Sequence, residues 1–299
     1  MSEARPRFVE VVRAGPLTTV QDIGRAGYAH LAVPRSGALD RPALDLANRL
    51  VGNHLGDAAL EATLGGVGVR AGCDCTVAVT GSRALISVDG HPAGWGLATP
   101  VRRGQLVEVG PALSGVRSYL AVDGGLAVQA TLGSRSTDVL SSLGPPPLRD
   151  GDVLPLGPSR RAAAALDFDP WPEPSDPLVL RARLGPRDDW FTAAALAVLR
   201  SSTFTASSLS NRVALRLDGA RLERAVEAEL PSEGMVLGAV QVPADGRPLV
   251  FLADHPTTGG YPVIAVVEAD DLPACAQARP GAAVRFHVLA DRPGYGARS

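Results

Sequence analysis

The segment TTVQDIGRAGYAHLAVPRSGALD, Thr18 to Asp40, sets Gln21, Asp22, Arg25, Ser36 and Asp40 among Gly24, Gly27 and Gly37. A carboxylate and a guanidinium close together beside a glycine that allows tight backbone approach can bind a polar substrate or manage a proton. The same two residues can equally pair with each other and satisfy a loop. Ser36 is a candidate anion ligand or nucleophile, with turn or cap duty as the plainer alternative, because no His lies at a diagnostic spacing. A second set falls between Leu230 and Val267: Glu233, Gln241, Asp254, His255, Thr257, Thr258, Gly259, Gly260 and Tyr261. Within it, TTGGYP reads either as a hairpin connection or as a loop presenting backbone N–H groups to an oxyanion. Arg212, in SNRVALRL, stands at a strand mouth, where it can hold a carboxylate or phosphate or stay solvated.

Other chemistries find little support. No GxSxG elbow, Walker loop or zinc-ligand spacing occurs, and GGVG in EATLGGVGVRAG lacks the strand-to-helix setting of a dinucleotide fold. The five histidines are scattered, and Cys73 and Cys75 have no matching Cys/His pair, so no structural or catalytic metal is expected. On a strand those two thiols share one face and read as core residues. Three cysteines fit a reducing compartment. A net charge of −2 with interspersed signs argues against nucleic acid. The absence of a signal-like start or an apolar span argues against a membrane and for a cytoplasmic protein.

The elements that must position these residues are mostly strands. With 33 Gly and 25 Pro among 299 residues, the chain turns often. FVEVVRAG, QLVEVG and RSYLAVDGG each read as a strand closed by glycine, and TVAVTGSRALISVDGHP reads as two strands about a Gly-Ser turn. RPALDLANRLVGN reads as a helix capped by Asp40, with Pro42 early and Gly52 as its stop. Its N-terminus is a place where free N–H groups favour anions. A second helix is expected over Arg187 to Ser202. Strand patterns in both halves, each with a helix near the front, suggest two tandem β-barrel domains. The expected division is an N-terminal domain over 1–157, a Pro- and Ala-rich linker over 158–177, and a C-terminal domain over 178–299.

In chain order, GPLTTVQDIGRAGYAHLAVPRSGALDRPALDLANRLVGN, LEATLGG, YLAVDGG, LGSRSTD and GDVLPLG resemble the KipA / allophanate hydrolase subunit 2 family. So do GPRDDWF, SNRVALRL, SEGMVLGAVQVPADGRPLVFLADHPTTGGYPVIA and DLPACAQARPGAAVRF, and the resemblance runs from about Val11 to Phe286. Members are also called 5-oxoprolinase C-subunits or biotin-dependent carboxyltransferase domain proteins. The resemblance implies a mainly β chain of two cyclophilin-like β-barrels with a few short helices. It implies a hetero-oligomer with a KipI or subunit 1-type protein and, in 5-oxoprolinases, a third subunit of the LamB type. In such a complex ATP, with Mg, drives opening of 5-oxoproline to glutamate.

Under that reading Arg25 and Arg212 supply cations, TTGGYP supplies N–H donors, and Asp22, Glu233 or Asp254 steers water. Gln21, Ser36, Asp40, Gln241, Thr258, Gly259, Gly260 and Tyr261 line the substrate, in a cleft between the two barrels. The resemblance also implies two alternatives: a regulatory protein that antagonises a KipI-type kinase inhibitor, and a carboxyltransferase for urea-like substrates. Nothing resembles a biotin-attachment site, so no biotin is expected on this chain. Many relatives have Asp-Arg at Asn211-Arg212, Arg-Gln at His255-Pro256 and lysine at Val263, so any role of that lysine is absent or relocated here.

Overall fold

A computed structural model describes residues 6–160 and 175–290. The chain divides into two compact units, Met1–Pro174 and Ser175–Ser299. Of the expected linker, residues 161–174 lie outside the described residues.

The first unit holds β1 (Phe8–Arg13), β2 (Leu17–Gln21), α1 (Arg41–Leu50), β3 (Ala59–Thr63), β4 (Gly68–Ala71) and β5 (Cys75–Arg83). It continues with β6 (Ile86–Val88), β7 (His91–Ala93), β8 (Thr99–Val101), β9 (Leu106–Val109), β10 (Ser114–Val122) and β11 (Val153–Pro155). These strands form a six-stranded sheet, β11-β1-β4-β9-β6-β7, and a five-stranded sheet, β2-β3-β10-β5-β8. Alternation along the strands turns Val20, Leu60, Val79 and Leu120 toward Val9, Val11, Val69 and Val109 of the other sheet, giving one shared core. Cys75 belongs to that core and Cys73 packs against it from the preceding bend. Burial pushes the Cys75 thiol up to about 12.

The opposite face of the five-stranded sheet carries α1. Ala59, Ala78 and Ala121 offer a flat floor on which Leu44, Ala47 and Leu50 pack. Asp40 caps the helix as the sequence indicates, its Oδ1 accepting from the Ala43 N–H at 3.1 Å. Thr80 Oγ1 donates to the Ala43 carbonyl at 2.6 Å and ties the first turn to the sheet. The expected Gly-Ser turn is not one: β5 runs through Gly81 and Ser82. Gly81 has φ +78°, and a side chain there would meet the Tyr119 ring at 3.2 Å. Opposite it the β5–β10 register slips between Ser114 and Ser118, a bulge built around the glycine.

The second unit contains β12 (Leu178–Leu184), α2 (Ala193–Ser201), β13 (Phe204–Ala206), β14 (Ala214–Asp218), β15 (Glu233–Gly234) and β16 (Ala239–Gln241). It ends with β17 (Leu249–Phe251), β18 (Thr258–Gly259), β19 (Val263–Val267), α3 (Leu272–Gln277) and β20 (Ala283–Val288). Seven strands close a barrel, β12-β19-β16-β17-β14-β13-β20, sealed by the parallel pairing of β12 with β20. The mainly β character is as expected. Closure of the ladder is seen in this unit, whereas the strands of the first unit stay as two sheets. Helix α2 starts later than its sequence pattern, because Asp188–Trp190 form a 3-10 turn and Thr192 is the cap, accepting from Ala195 at 3.1 Å. Among the described residues no helix is long and apolar enough to cross a membrane.

The alanine floor makes a direct prediction. Ala121→Leu should lower stability by about 1–3 kcal/mol through overpacking beneath α1. Leu113→Ala, at a site 62% exposed, should stay within about 0.5 kcal/mol. Urea denaturation midpoints check both.

Candidate functional site

Beyond the alanines, the helix-bearing face of the five-stranded sheet turns polar. Thr19 pairs with Glu61, Glu61 with Tyr119, and Tyr119 with Thr80, so one cross-strand row carries four polar side chains on one face. Glu61 is 1% exposed. Its Oε2 accepts from Tyr119 Oη at 2.7 Å and from the Leu39 N–H at 3.0 Å, while Arg117 Nε lies 3.7 Å from Oε1. Tyr119 Oη in turn accepts from the Asp40 N–H at 2.8 Å. Burial, followed by the carboxylates of Glu61 and Asp40, holds the Tyr119 hydroxyl well above its ordinary value, so it remains a donor.

The Asp22–Asp40 segment folds across this polar end. Asp22 is its fastener: Oδ1 accepts from Ser134 Oγ at 2.6 Å, Ser136 Oγ at 2.6 Å and the Gly24 N–H at 2.8 Å. Oδ2 accepts from the Arg135 N–H at 2.6 Å. A carboxylate has roughly four acceptor positions; three in-chain donors crowd Oδ1 and one reaches Oδ2, so Asp22 is held firmly at the junction.

The expected Asp22–Arg25 pair is also replaced. No ion pair joins them; Arg25 Nη2 donates instead to the Ser136 carbonyl, and Ser136 Oγ serves Asp22. Gly24 and Gly37 let two backbones touch, since a Cβ on Gly24 would lie 2.5 Å from the Arg35 and Ser36 carbonyl oxygens. Ser36, at φ +54°, is held there by donating through Oγ to the Thr137 carbonyl at 2.9 Å. Gln21 Nε2 reaches the same carbonyl at 3.0 Å. The expected anion-attracting start of α1 is occupied by the Asp40 carboxylate.

In the second unit Arg212 and Asp254 form a two-pronged ion pair, Nε–Oδ2 2.9 Å and Nη2–Oδ1 3.0 Å. Arg212 is 1% exposed and Asp254 is fully buried. The carboxylate that Arg212 holds is the chain's own, and both Asp254 oxygens accept from that guanidinium. Glu233 is likewise engaged, by Arg187 through Nε to Oε2 at 3.1 Å and through Nη2 to Oε1. That bond holds the Glu233 carboxyl below its ordinary value of 4.5.

TTGGYP is less free than the sequence suggests, because Thr258–Gly259 ladders with Glu233–Gly234. Gln241 Nε2 donates to the Tyr261 carbonyl at 3.0 Å, fixing the loop from below. Thr258, Gly260 and Tyr261 are exposed, and Arg224 lies 5.6 Å over the Tyr261 ring. Val263 sits in an apolar cluster with Ala214, Met235 and Phe251.

Sequence reasoning thus located the Asp22–Asp40 segment but missed Glu61, Arg117, Tyr119, Ser134, Ser136 and Thr137. Two signals were available: a glutamate inside the otherwise apolar strand ALEAT, and the polar run SRST after Gly133.

Residues 31–288 match the family model described as carboxyltransferase domain, subdomain A and B. Over 285 residues the chain is 39% identical to the 5-oxoprolinase C-subunit of Escherichia coli K12, covering 93% of this chain and 90% of that protein. It is 32% identical to urea amidolyase of Saccharomyces cerevisiae, covering 95% of this chain but 17% of that protein. The solved urea carboxylase of Kluyveromyces lactis superposes with a TM-score of 0.88 at 29% identity, covering 96% of this chain and 28% of that one. The chain spans 57% of another solved relative, with a TM-score of 0.86 at 37% identity.

Two outcomes follow from the geometry. Asp254→Asn, which leaves a buried guanidinium without its counter-charge, should cost about 3–5 kcal/mol in denaturant unfolding. The second is a pH effect at Glu233. A carboxyl depressed in the folded state contributes stability that is complete above its unfolded value and lost as pH falls through the folded one. Hydrogen-exchange protection of the Met235 amide, bonded to the Thr257 carbonyl beside the β15–β18 ladder, should therefore fall as pH drops below 4.5. Glu233→Gln should abolish that pH step.

Proposed function

Because the chain belongs to the carboxyltransferase domain, subdomain A and B, family, we propose that it is one subunit of an ATP-dependent 5-oxoprolinase. The complex would open the cyclic amide of 5-oxoproline to glutamate. The observation that carries this reading is correspondence along nearly the whole length of a 5-oxoprolinase C-subunit, 93% of one chain against 90% of the other. A second such relative, from Haemophilus influenzae, corresponds over 94% and 91% at 31% identity. The partners proposed are a subunit 1-type protein of the KipI kind and a third subunit of the LamB type.

Opening a lactam requires loss of amide resonance, so the amide oxygen must be made a better electron sink before water attacks. The N-terminus of α1 already carries the Asp40 carboxylate, which repels phosphate there. ATP is therefore assigned to a partner subunit. This chain's part is to hold substrate. The Tyr119 hydroxyl and the Leu39 N–H are spent on Glu61, and the Asp40 N–H on Tyr119 Oη, so this buried row serves as the frame that sets the Asp22–Asp40 segment in place.

A second reading, carboxyl transfer to a urea-like substrate, is favoured by the family description and by the superposition on a urea carboxylase. The test is co-expression with the subunits encoded beside it. Glutamate formation and 5-oxoproline-stimulated ATP hydrolysis should appear with the full set and vanish when this chain is omitted. Turnover undiminished by its omission would sink the proposal. Carboxylation of urea dependent on a separate biotinylated protein would establish the second reading instead. Tyr119→Phe, which takes a buried partner from both Glu61 and the Asp40 N–H, should cost about 1–3 kcal/mol in denaturant unfolding.

A further inference from the structure

Arg25 is 2% exposed, yet its protein contacts do not match its charge. Nη2 donates to the Ser136 carbonyl, while Nε, with one N–H, and Nη1, with two, have no acceptor. A guanidinium stays charged at any ordinary pH, and a buried charge is retained only where a partner offsets its desolvation. Arg212 shows how this chain meets that requirement elsewhere, with Asp254 gripped at both prongs. Arg25 has no such carboxylate, because Asp22 faces Ser134, Ser136 and the Gly24 and Arg135 amides.

Other polar atoms on the same two paired segments also lack partners. The Thr137 hydroxyl, on the residue after the carbonyl that Arg25 grips, is buried without a hydrogen bond, as is Gln21 Oε1. The Gln21 amide cannot be turned round to cure this. Its Nε2 faces the Thr137 carbonyl at 3.0 Å, a group that only accepts. Segments 20–25 and 134–137 are otherwise stitched together closely, with the Thr137 N–H donating to the Val20 carbonyl at 2.9 Å and the Asp22 N–H to Ser136 Oγ at 2.9 Å. The unpartnered atoms of Arg25, Thr137 and Gln21 thus lie on one stitched pair of segments, which forms a polar corner of the unit.

We propose that this corner is a binding site for a small carboxylate, anchored by Arg25, with the Thr137 hydroxyl and Gln21 Oε1 as further polar contacts. A carboxylate matches the guanidinium fork in shape and charge. Phosphate matches less well, for two reasons. The corner offers one cation for two negative charges, and the Asp22 carboxylate is one residue's hydrogen bonds away. Gln21 Oε1 in addition calls for a donor, so a carboxylate bearing an amide-type N–H fits best. Such a site is built from this chain's own residues and does not depend on which reaction the complex performs.

The test is calorimetric titration of the full chain and of Arg25→Gln and Arg25→Lys with acetate, 5-oxoproline, 2-pyrrolidinone and inorganic phosphate. Acetate and 5-oxoproline should bind the unaltered protein, with 5-oxoproline the tighter. The ring without its carboxylate, 2-pyrrolidinone, should bind at least about tenfold more weakly. Arg25→Gln should lose carboxylate affinity at least about tenfold and Arg25→Lys should recover part of it. Carboxylate binding unchanged in Arg25→Gln, no carboxylate binding at all, or phosphate preferred over both carboxylates would each overturn the site. Should Arg25→Gln fail to fold, the Arg25 Nε–H resonance of the unaltered protein decides. It should shift on adding 5-oxoproline and not on adding 2-pyrrolidinone, and an unmoved resonance rejects the proposal. None of these readouts uses turnover, so failure of the 5-oxoprolinase reading would leave them intact and separately interpretable.

Discussion

A buried carboxylate must find donors, and the way Asp22 finds them organises the first unit. Its oxygens gather two serine hydroxyls and two backbone amides, three of the four from a segment more than a hundred positions away in sequence. Charge-assisted bonds of this kind are worth about twice neutral ones. They draw the 134–136 segment against the end of β2, and from that junction the chain starts its crossing of the sheet toward α1. Ser36, the Gly24–Gly37 contact and the docking of Arg25 on Ser136 all presuppose it. Asp22 thus acts on any chemistry indirectly, by fixing where the neighbouring groups stand.

The same sheet face serves two ends. Under α1 its residues are alanines, which let a helix lie close and bury Leu44 and Leu50. One step along the strands the face becomes Glu61, Tyr119 and Arg117, too polar to lie under an apolar helix unless paired with one another. The loop leading into α1 resolves this by donating the Leu39 and Asp40 amides to that row. Helix start and polar row are therefore a single construction, and displacement of either leaves buried groups without partners.

What could be read beforehand follows the range of the forces involved. The strands at Phe8–Arg13 and Leu106–Val109 and the Asp40-capped helix rest on local alternation, capping and glycine stops, and the sequence displays these directly. Gly81 misled, because a glycine that marks a bulge and one that marks a turn look alike until the opposing strand is known. Helix α3 is too short for its period to register. The pairing of Arg212 with Asp254, and of Arg187 with Glu233, is a tertiary choice among many charged residues, invisible to spacing. Glu61 is hidden for another reason: on an alternating strand a lone glutamate points to solvent, whereas both faces of this strand are covered.

The two ends of the first unit bear on its history. The opening strand β1 and the closing strand β11 are antiparallel neighbours, with Phe8 and Pro155 as direct partners. Entry and exit of the chain therefore stand side by side, separated by about 5 Å. A host polypeptide interrupted at a surface loop could accept such a module with almost no distortion of its own ends, as if a bead were clipped onto a string. In the urea amidolyases the matched region takes in both units and makes up 17% of a much longer protein, so there the side-by-side ends belong to one part of a larger insert.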